Sequence, residues 1–81
     1  MKFTEEQKAL VLLAVGQKIK FYREARGWTQ VDLEIATGIP STTISSYENG
    51  LVDFQISNLI LIATALNITL AHLYPWTVSY M

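Results

Sequence analysis

The sequence predicts an all-α fold: a compact bundle of about five helices with an extended first helix and an apolar C-terminal arm. Three observations predict it. Apolar residues recur at helical spacing along most of the chain. Threonines suited to helix N-caps precede those stretches, and glycine or asparagine closes them. A strand-like alternation is seen only near the end, at Trp76, Val78 and Tyr80.

The elements follow in order. Thr4 with Gln7 has the form of a capping box, so a first helix starts there and can run to Arg26, where Gly27 offers the left-handed conformation that ends helices. Gly16 weakens its middle by about 1 kcal/mol relative to alanine, and the alternative is two helices joined by a kink. At about 100° per residue, Leu12, Val15, Ile19 and Tyr22 share one side, the expected core face, while Leu10, Ala14 and Phe21 fall nearly opposite. Thr29 caps a second helix over 30–37. Gly38 and Ile39 make a tight turn, and Pro40 or Ser41 opens a third helix to Glu48, ended by Asn49 and Gly50. A loop over 51–54 leads to a fourth helix over 56–66 that carries Leu59, Ile60, Ile62, Ala63 and Leu66. Asn67 breaks it, and Thr69 caps a last turn, Leu70 to Leu73. The expected organisation is one domain over 1–81: a helical extension 4–16, a core 17–73 with its motif at 29–48, and the arm 74–81.

Composition narrows the function. The 81 residues are 51% hydrophobic and 16% charged, which excludes a disordered chain. No cysteine is present, so neither a disulfide nor a thiolate metal site can form. The longest apolar run, Ala9 to Gly16, is far short of the ~20 residues of a membrane helix. Glu5 and Glu6 stand where a signal peptide would be basic, so a cytoplasmic protein is the expectation. The net charge is −1, but it is unevenly spread. All six basic residues lie in the first 26 positions, where Glu5, Glu6 and Glu24 leave +3; from Gly27 onward there are four acids and no Lys or Arg. Nucleic-acid binders need cations against phosphate, and here the front of the chain alone supplies them.

The informative stretch runs from Thr29 to Gly50. Two short helices joined by a glycine-containing turn form a helix-turn-helix motif. Leu33, Ala36, Ile39, Ile44 and Tyr47 have the spacing to face inward, and Trp28 joins Tyr47 as an expected core aromatic. Ser41, Thr42, Ser45 and Ser46 are left facing out. An outer face made of small hydroxylic residues is unusual for a solvated helix, which is normally charged. It suits a helix that enters a major groove roughly 12 Å wide and offers hydroxyls to bases or phosphates.

With these residues in place, the run from Lys18 to Leu73 resembles the lambda-repressor and Cro-like helix-turn-helix family, also called the xenobiotic-response-element family. Ile19, Tyr22, Arg23, Gly27, Trp28, Thr29, Gln30, Leu33, Gly38, Ile39, Thr43, Ile44, Ser45, Glu48, Asn49 and Gly50 carry the resemblance, and Leu66 to Leu70 close it. The resemblance implies a lambda-repressor-like DNA-binding domain whose partner is double-stranded DNA. It implies that Gln30 contacts a phosphate and braces the third helix, that Ser41, Thr42 and Ser46 stand at base-contacting positions, and that Asn49 reaches the DNA backbone. Thr43 and Ser45 complete the candidate DNA-binding set, with Thr43 also placed to cap or brace its helix. It further implies a partly buried ion pair of Arg23 with Glu48. The chain departs from the pattern at two places. Glu34 stands where a small residue usually packs, so the helix rotates or the carboxylate finds a donor. Leu51, Val52, Asp53 and Phe54 stand where Lys or Arg usually grips phosphate.

The remaining features fit no enzyme. His72 is a lone histidine without a second ligand, so no metal is expected, and no cofactor loop is present. Glu5, Glu6, Asp32, Glu34 and Asp53 show no spacing that pairs them for acid–base work. The second apolar stripe (Leu10, Ala14, Phe21) and the tail residues Trp76, Val78 and Tyr80 pack within the monomer or form a dimer interface, and proteins that read DNA this way usually bind as twofold dimers. The leading expectation is a homodimeric transcriptional regulator, a repressor. The alternative is a protein-interaction module on the same scaffold, an antitoxin or accessory partner with weak or no DNA binding.

Overall fold

A helix starts where its orphan amides find acceptors, and the threonine caps set the boundaries here. The computed structural model describes residues 4–74. Five helices occur among them: α1 (Glu5–Ala25), α2 (Gln30–Thr37), α3 (Ser41–Glu48), α4 (Ile56–Ala65) and α5 (Leu70–Leu73), with no strand. The Thr4 hydroxyl accepts from the Gln7 amide at 3.0 Å, and the Thr4 amide donates back to Gln7 Oε1 at 2.9 Å. Thr29 and Asp32 repeat this reciprocal pattern at 3.1 and 2.8 Å. At α5 the Thr69 amide donates to His72 Nδ1 at 3.1 Å, which gives the lone histidine a local structural role. The α2–α3 turn depends on Gly38, whose φ of +79° is the left-handed region that suits glycine. Asn67 takes the same region after α4 with φ +58°.

The core gathers around Ile19, Leu33, Ile44 and Ile62, one fully enclosed side chain from each of α1 to α4. Val15, Ile39, Tyr47, Ala63, Leu66 and Leu73 complete it, with Tyr22, Trp28, Phe54 and Leu59 packed around it. Burying each large aliphatic side chain stabilises by about 1.5–3 kcal/mol. Buried Tyr47 keeps its polar end satisfied: its hydroxyl oxygen accepts from Asn58 Nδ2 at 2.9 Å and from the Gln55 amide at 3.2 Å.

Two expectations need correction. Ala36 faces solvent rather than the core. α2 turns Gln30, Leu33 and Thr37 inward, and Ala36 lies about a quarter-turn from the middle of that face. Thr37 fills the inner side instead, donating its hydroxyl to the Leu33 carbonyl at 2.7 Å. Leu12 is half-buried, while Val15 and Ile19 on its side are enclosed. α1 is one continuous helix from its Thr4 cap to Ala25, as first expected, so the kinked alternative does not hold, and Gly16 serves as a contact point. The strand-like pattern at Trp76, Val78 and Tyr80 lies outside the described residues. No helix among the described residues is long and apolar enough to cross a membrane.

Candidate nucleic-acid interface

The hydroxylic face is built by the register of α3. Ile44, Tyr47 and Glu48 point into the protein. At about 100° per residue that leaves Thr42, Ser46 and Asn49 on the opposite side. Thr42 and Asn49 are exposed; Ser41, Thr43, Ser45 and Ser46 are half-buried. No side chain on this face is larger than asparagine, so the backbone of α3 can approach a flat partner closely. Asn49 Nδ2 donates to the Ser45 carbonyl at 2.9 Å and lies 3.4 Å from the Ser45 hydroxyl.

A buried charged network holds α3. Glu48 is 2% exposed and Arg23 7%. Arg23 Nε donates to Glu48 Oε2 at 2.7 Å, and Nη2 donates to Oε1 at 3.0 Å, a bidentate fork. Arg23 Nη1 also donates to the Trp28 carbonyl at 2.7 Å, tying the α1–α2 connection to the same group. Gln30 Nε2 donates to Glu48 Oε1 at 3.1 Å, so the first residue of α2 braces the last residue of α3. The hydrogen bond to Glu48, joined by that carboxylate's charge, raises the pKa of Arg23 against the opposing effect of burial.

Glu34, the residue that departs from the expected small one, finds a donor. Its Oε1 accepts the Ser41 amide at 3.1 Å. Pro40, the N-cap of α3, has no side-chain acceptor of its own. A carboxylate at a helix N-terminus also meets the favourable end of the helix dipole. Glu34→Ala is therefore expected to cost about 1 kcal/mol. In urea denaturation the midpoint should fall with the slope unchanged; an unmoved midpoint refutes the role.

Sequence reasoning missed what the N-terminal part of α1 does at the far end of α3. A Cβ added at Gly16 would overlap the Tyr47 carbonyl oxygen and lie 2.8 Å from the Glu48 oxygen. Gln17 Nε2 donates to that same Glu48 carbonyl at 3.4 Å. A Cβ added at Gly50 would come within 2.8 Å of the Leu13 Cα. Lys8 Nζ meets Asp53 Oδ2 at 2.9 Å. The one sequence signal for this was a glycine inside an otherwise strong helix.

Of the proposed dimer residues, Leu10 and Phe21 are exposed at 66% and 62% and Ala14 is half-buried. Trp76, Val78 and Tyr80 lie outside the described residues. Among the described residues, no group of three or more His, Asp or Glu side chains is placed to hold a metal ion.

Comparison with known proteins agrees with this geometry. A helix-turn-helix family model matches residues 19–73. The restriction-modification controller protein C.AhdI from Aeromonas hydrophila superposes with a TM-score of 0.75 at 28% identity, over 78% of this chain and 96% of that one. The biofilm master regulator SinR, solved in complex with DNA, gives a TM-score of 0.70 at 28% identity, over 73% and 95%. A point mutant of the restriction-modification controller protein C.Esp1396I gives 0.67 at 33% identity, over 72% and 73%. No curated protein matches the chain.

Proposed function

The chain belongs to the helix-turn-helix family of DNA-binding regulators, and from that membership we propose that it is a sequence-specific repressor that acts as a homodimer and reads the major groove with α3. It is a regulator and not an enzyme. The observation that carries the proposal is the outer face of α3: small, hydroxylic and uncharged, on a helix held by the Arg23–Glu48–Gln30 network. Thr42 and Ser46 meet base edges, with Ser41, Thr43 and Ser45 flanking them, while Gln30 and Asn49 hold the sugar–phosphate backbone. The chain acts in the cytoplasm as one domain over 1–81, with the extension 4–16, the core 17–73 and the arm 74–81.

Twofold binding of this kind places recognition helices about 34 Å apart. Exposed Leu10 and Phe21 on α1 supply apolar surface for a second copy, and Ile56 and Ile60 on α4 are exposed as well. Light scattering at high concentration is expected to give twice the chain mass; a strict monomer refutes the dimer.

Binding is expected to be specific but only mildly dependent on salt. From Gly27 onward the chain has no Lys or Arg. Each neutralised phosphate adds about 0.9 to the slope of log K against log salt, so a slope of about 2–3 per protomer is expected. Fluorescence anisotropy with duplex DNA from upstream of the protein's own gene tests both points. Wild type should outcompete random duplex, and Thr42→Ala/Ser46→Ala should lose that preference. Equal binding of both duplexes by wild type would favour a protein partner on the exposed apolar side chains instead.

A further inference from the structure

We propose, resting on the reading of α3 as the major-groove element, that Lys8 on the N-terminal part of α1 is a DNA-phosphate contact, kept beside the loop after α3 by Asp53 until phosphate displaces that carboxylate.

The geometry begins with the length of α3. Its eight residues span about 12 Å at 1.5 Å per residue, close to the width of the groove it enters. Whatever leaves its C-terminal end therefore meets the row of phosphates bordering the groove. The chain leaving that end is Leu51, Val52 and Asp53, all exposed. An isolated carboxylate there would repel phosphate, and two apolar side chains cannot bind it. Since no Lys or Arg follows Arg26, a side-chain cation at this edge has to come from the first 26 residues.

α1 delivers one. Its N-terminal half runs back along the chain that leaves α3: Gly16 lies under the Tyr47 and Glu48 carbonyls, Leu13 lies against Gly50, and Lys8 meets Asp53 at 2.9 Å. The first two are backbone contacts that do not depend on the ion pair. A rigid helix anchored there keeps the Lys8 backbone beside the loop even when the pair opens. The pair itself is open to water, with side-chain exposures of 48% and 65%, and such surface pairs are weak and exchangeable. The ammonium is a point charge on a flexible stem, able to turn from one oxygen anion to another. The hydrogen bond and charge of Asp53 raise its pKa above the ordinary lysine value, so it is charged at neutral pH. The two arginines at the C-terminal end of α1 are already engaged, Arg23 with Glu48 and Arg26 with the Leu66 carbonyl and the Trp28 ring.

The test measures salt dependence for wild type, Lys8→Gln, Asp53→Asn and the double variant, on upstream duplex and on random duplex. Lys8→Gln is expected to lower the slope by about 0.9 per protomer on both duplexes, because a phosphate contact carries no sequence information. Asp53→Asn is expected to tighten binding several-fold at low salt, and to tighten it clearly less in the Lys8→Gln background, where only the relief of repulsion remains. Unchanged slope in Lys8→Gln, with or without a loss of affinity, overturns the proposal. So does a gain from Asp53→Asn that is as large without Lys8 as with it. If wild type prefers upstream duplex and Thr42→Ala/Ser46→Ala loses the preference while the Lys8 slope is unchanged, the proposal alone fails. If wild type shows no preference, the major-groove reading fails and takes the proposal with it.

Discussion

Arg23→Ala is expected to lower the stability by about 3–5 kcal/mol, because it removes one partner of a buried pair. For a domain of this size that corresponds to a fall in Tm of more than about 10 °C. The alanine would delete three donors at once: those to Glu48 Oε2 and Oε1 and the one to the Trp28 carbonyl. Glu48, 2% exposed, would keep only Gln30 Nε2, a neutral donor at 3.1 Å. Lysine should recover only part of the loss, since an ammonium cannot form the two-pronged fork or reach Trp28 in the same pose. Arg23→Met combined with Glu48→Leu should recover most of it, because removing both charges leaves neither buried alone. Thermal melts of the wild type and these three variants decide the matter. An alanine variant that melts within a degree of wild type means that the pair does not hold α3. The double variant separates two contributions of the pair: if it is stable yet reads DNA poorly, the network's main contribution is the orientation of α3.

Much of this arrangement was legible in the sequence because its causes are local. Thr4, Thr29 and Thr69 mark the starts of α1, α2 and α5 through residues three positions away, so a short window contains both partners. Gly38 and Asn67 mark turns by what their own backbones permit. The facing of α3 was legible too, since Ile44 and Tyr47 set its inner side within one turn. Expectations went astray where the deciding contact lies elsewhere in the chain or competes with a neighbour. Ala36 reads as a core residue by its spacing from Leu33, yet the inner face of α2 is taken by Leu33 and a back-bonded Thr37. Glu34 left two outcomes open because its acceptor role depends on Ser41, seven positions on and across a turn. Lys8 with Asp53, and Gly16 with Glu48, are pairings that only the folded chain reveals. The hydroxylic face of α3 is legible as a surface, but which bases it prefers is not, because hydroxyls both donate and accept.

Gly16→Ala is the sharper test, because local and tertiary effects predict opposite signs. Local propensity alone favours the variant: alanine inside a helix gains about 1 kcal/mol over glycine. The tertiary contact opposes it. The new Cβ would overlap the Tyr47 carbonyl oxygen and come within 2.8 and 2.9 Å of the Glu48 oxygen and carbon. These are backbone atoms at the end of α3 and cannot rotate aside as a flexible side chain would. Relief requires α1 and α3 to move apart, which loosens the core that Val15 and Ile19 share with Ile44 and Tyr47. Inserting a methyl into a packed site typically costs about 1–3 kcal/mol, and a backbone obstacle places this case at the upper end. A net loss of about 1–2 kcal/mol is expected in urea or thermal unfolding, and Gly16→Val should lose far more. DNA binding carries a second signature. At temperatures where Gly16→Ala remains fully folded, its preference for upstream duplex should still weaken, because the displaced element is the reading helix and its carbonyl contacts with α1 set how far it projects. A variant more stable than wild type would mean that propensity prevails and that the close approach of α1 to α3 has slack. A destabilised variant with unaltered DNA preference would mean that α3 keeps its orientation through the Arg23–Glu48–Gln30 network alone.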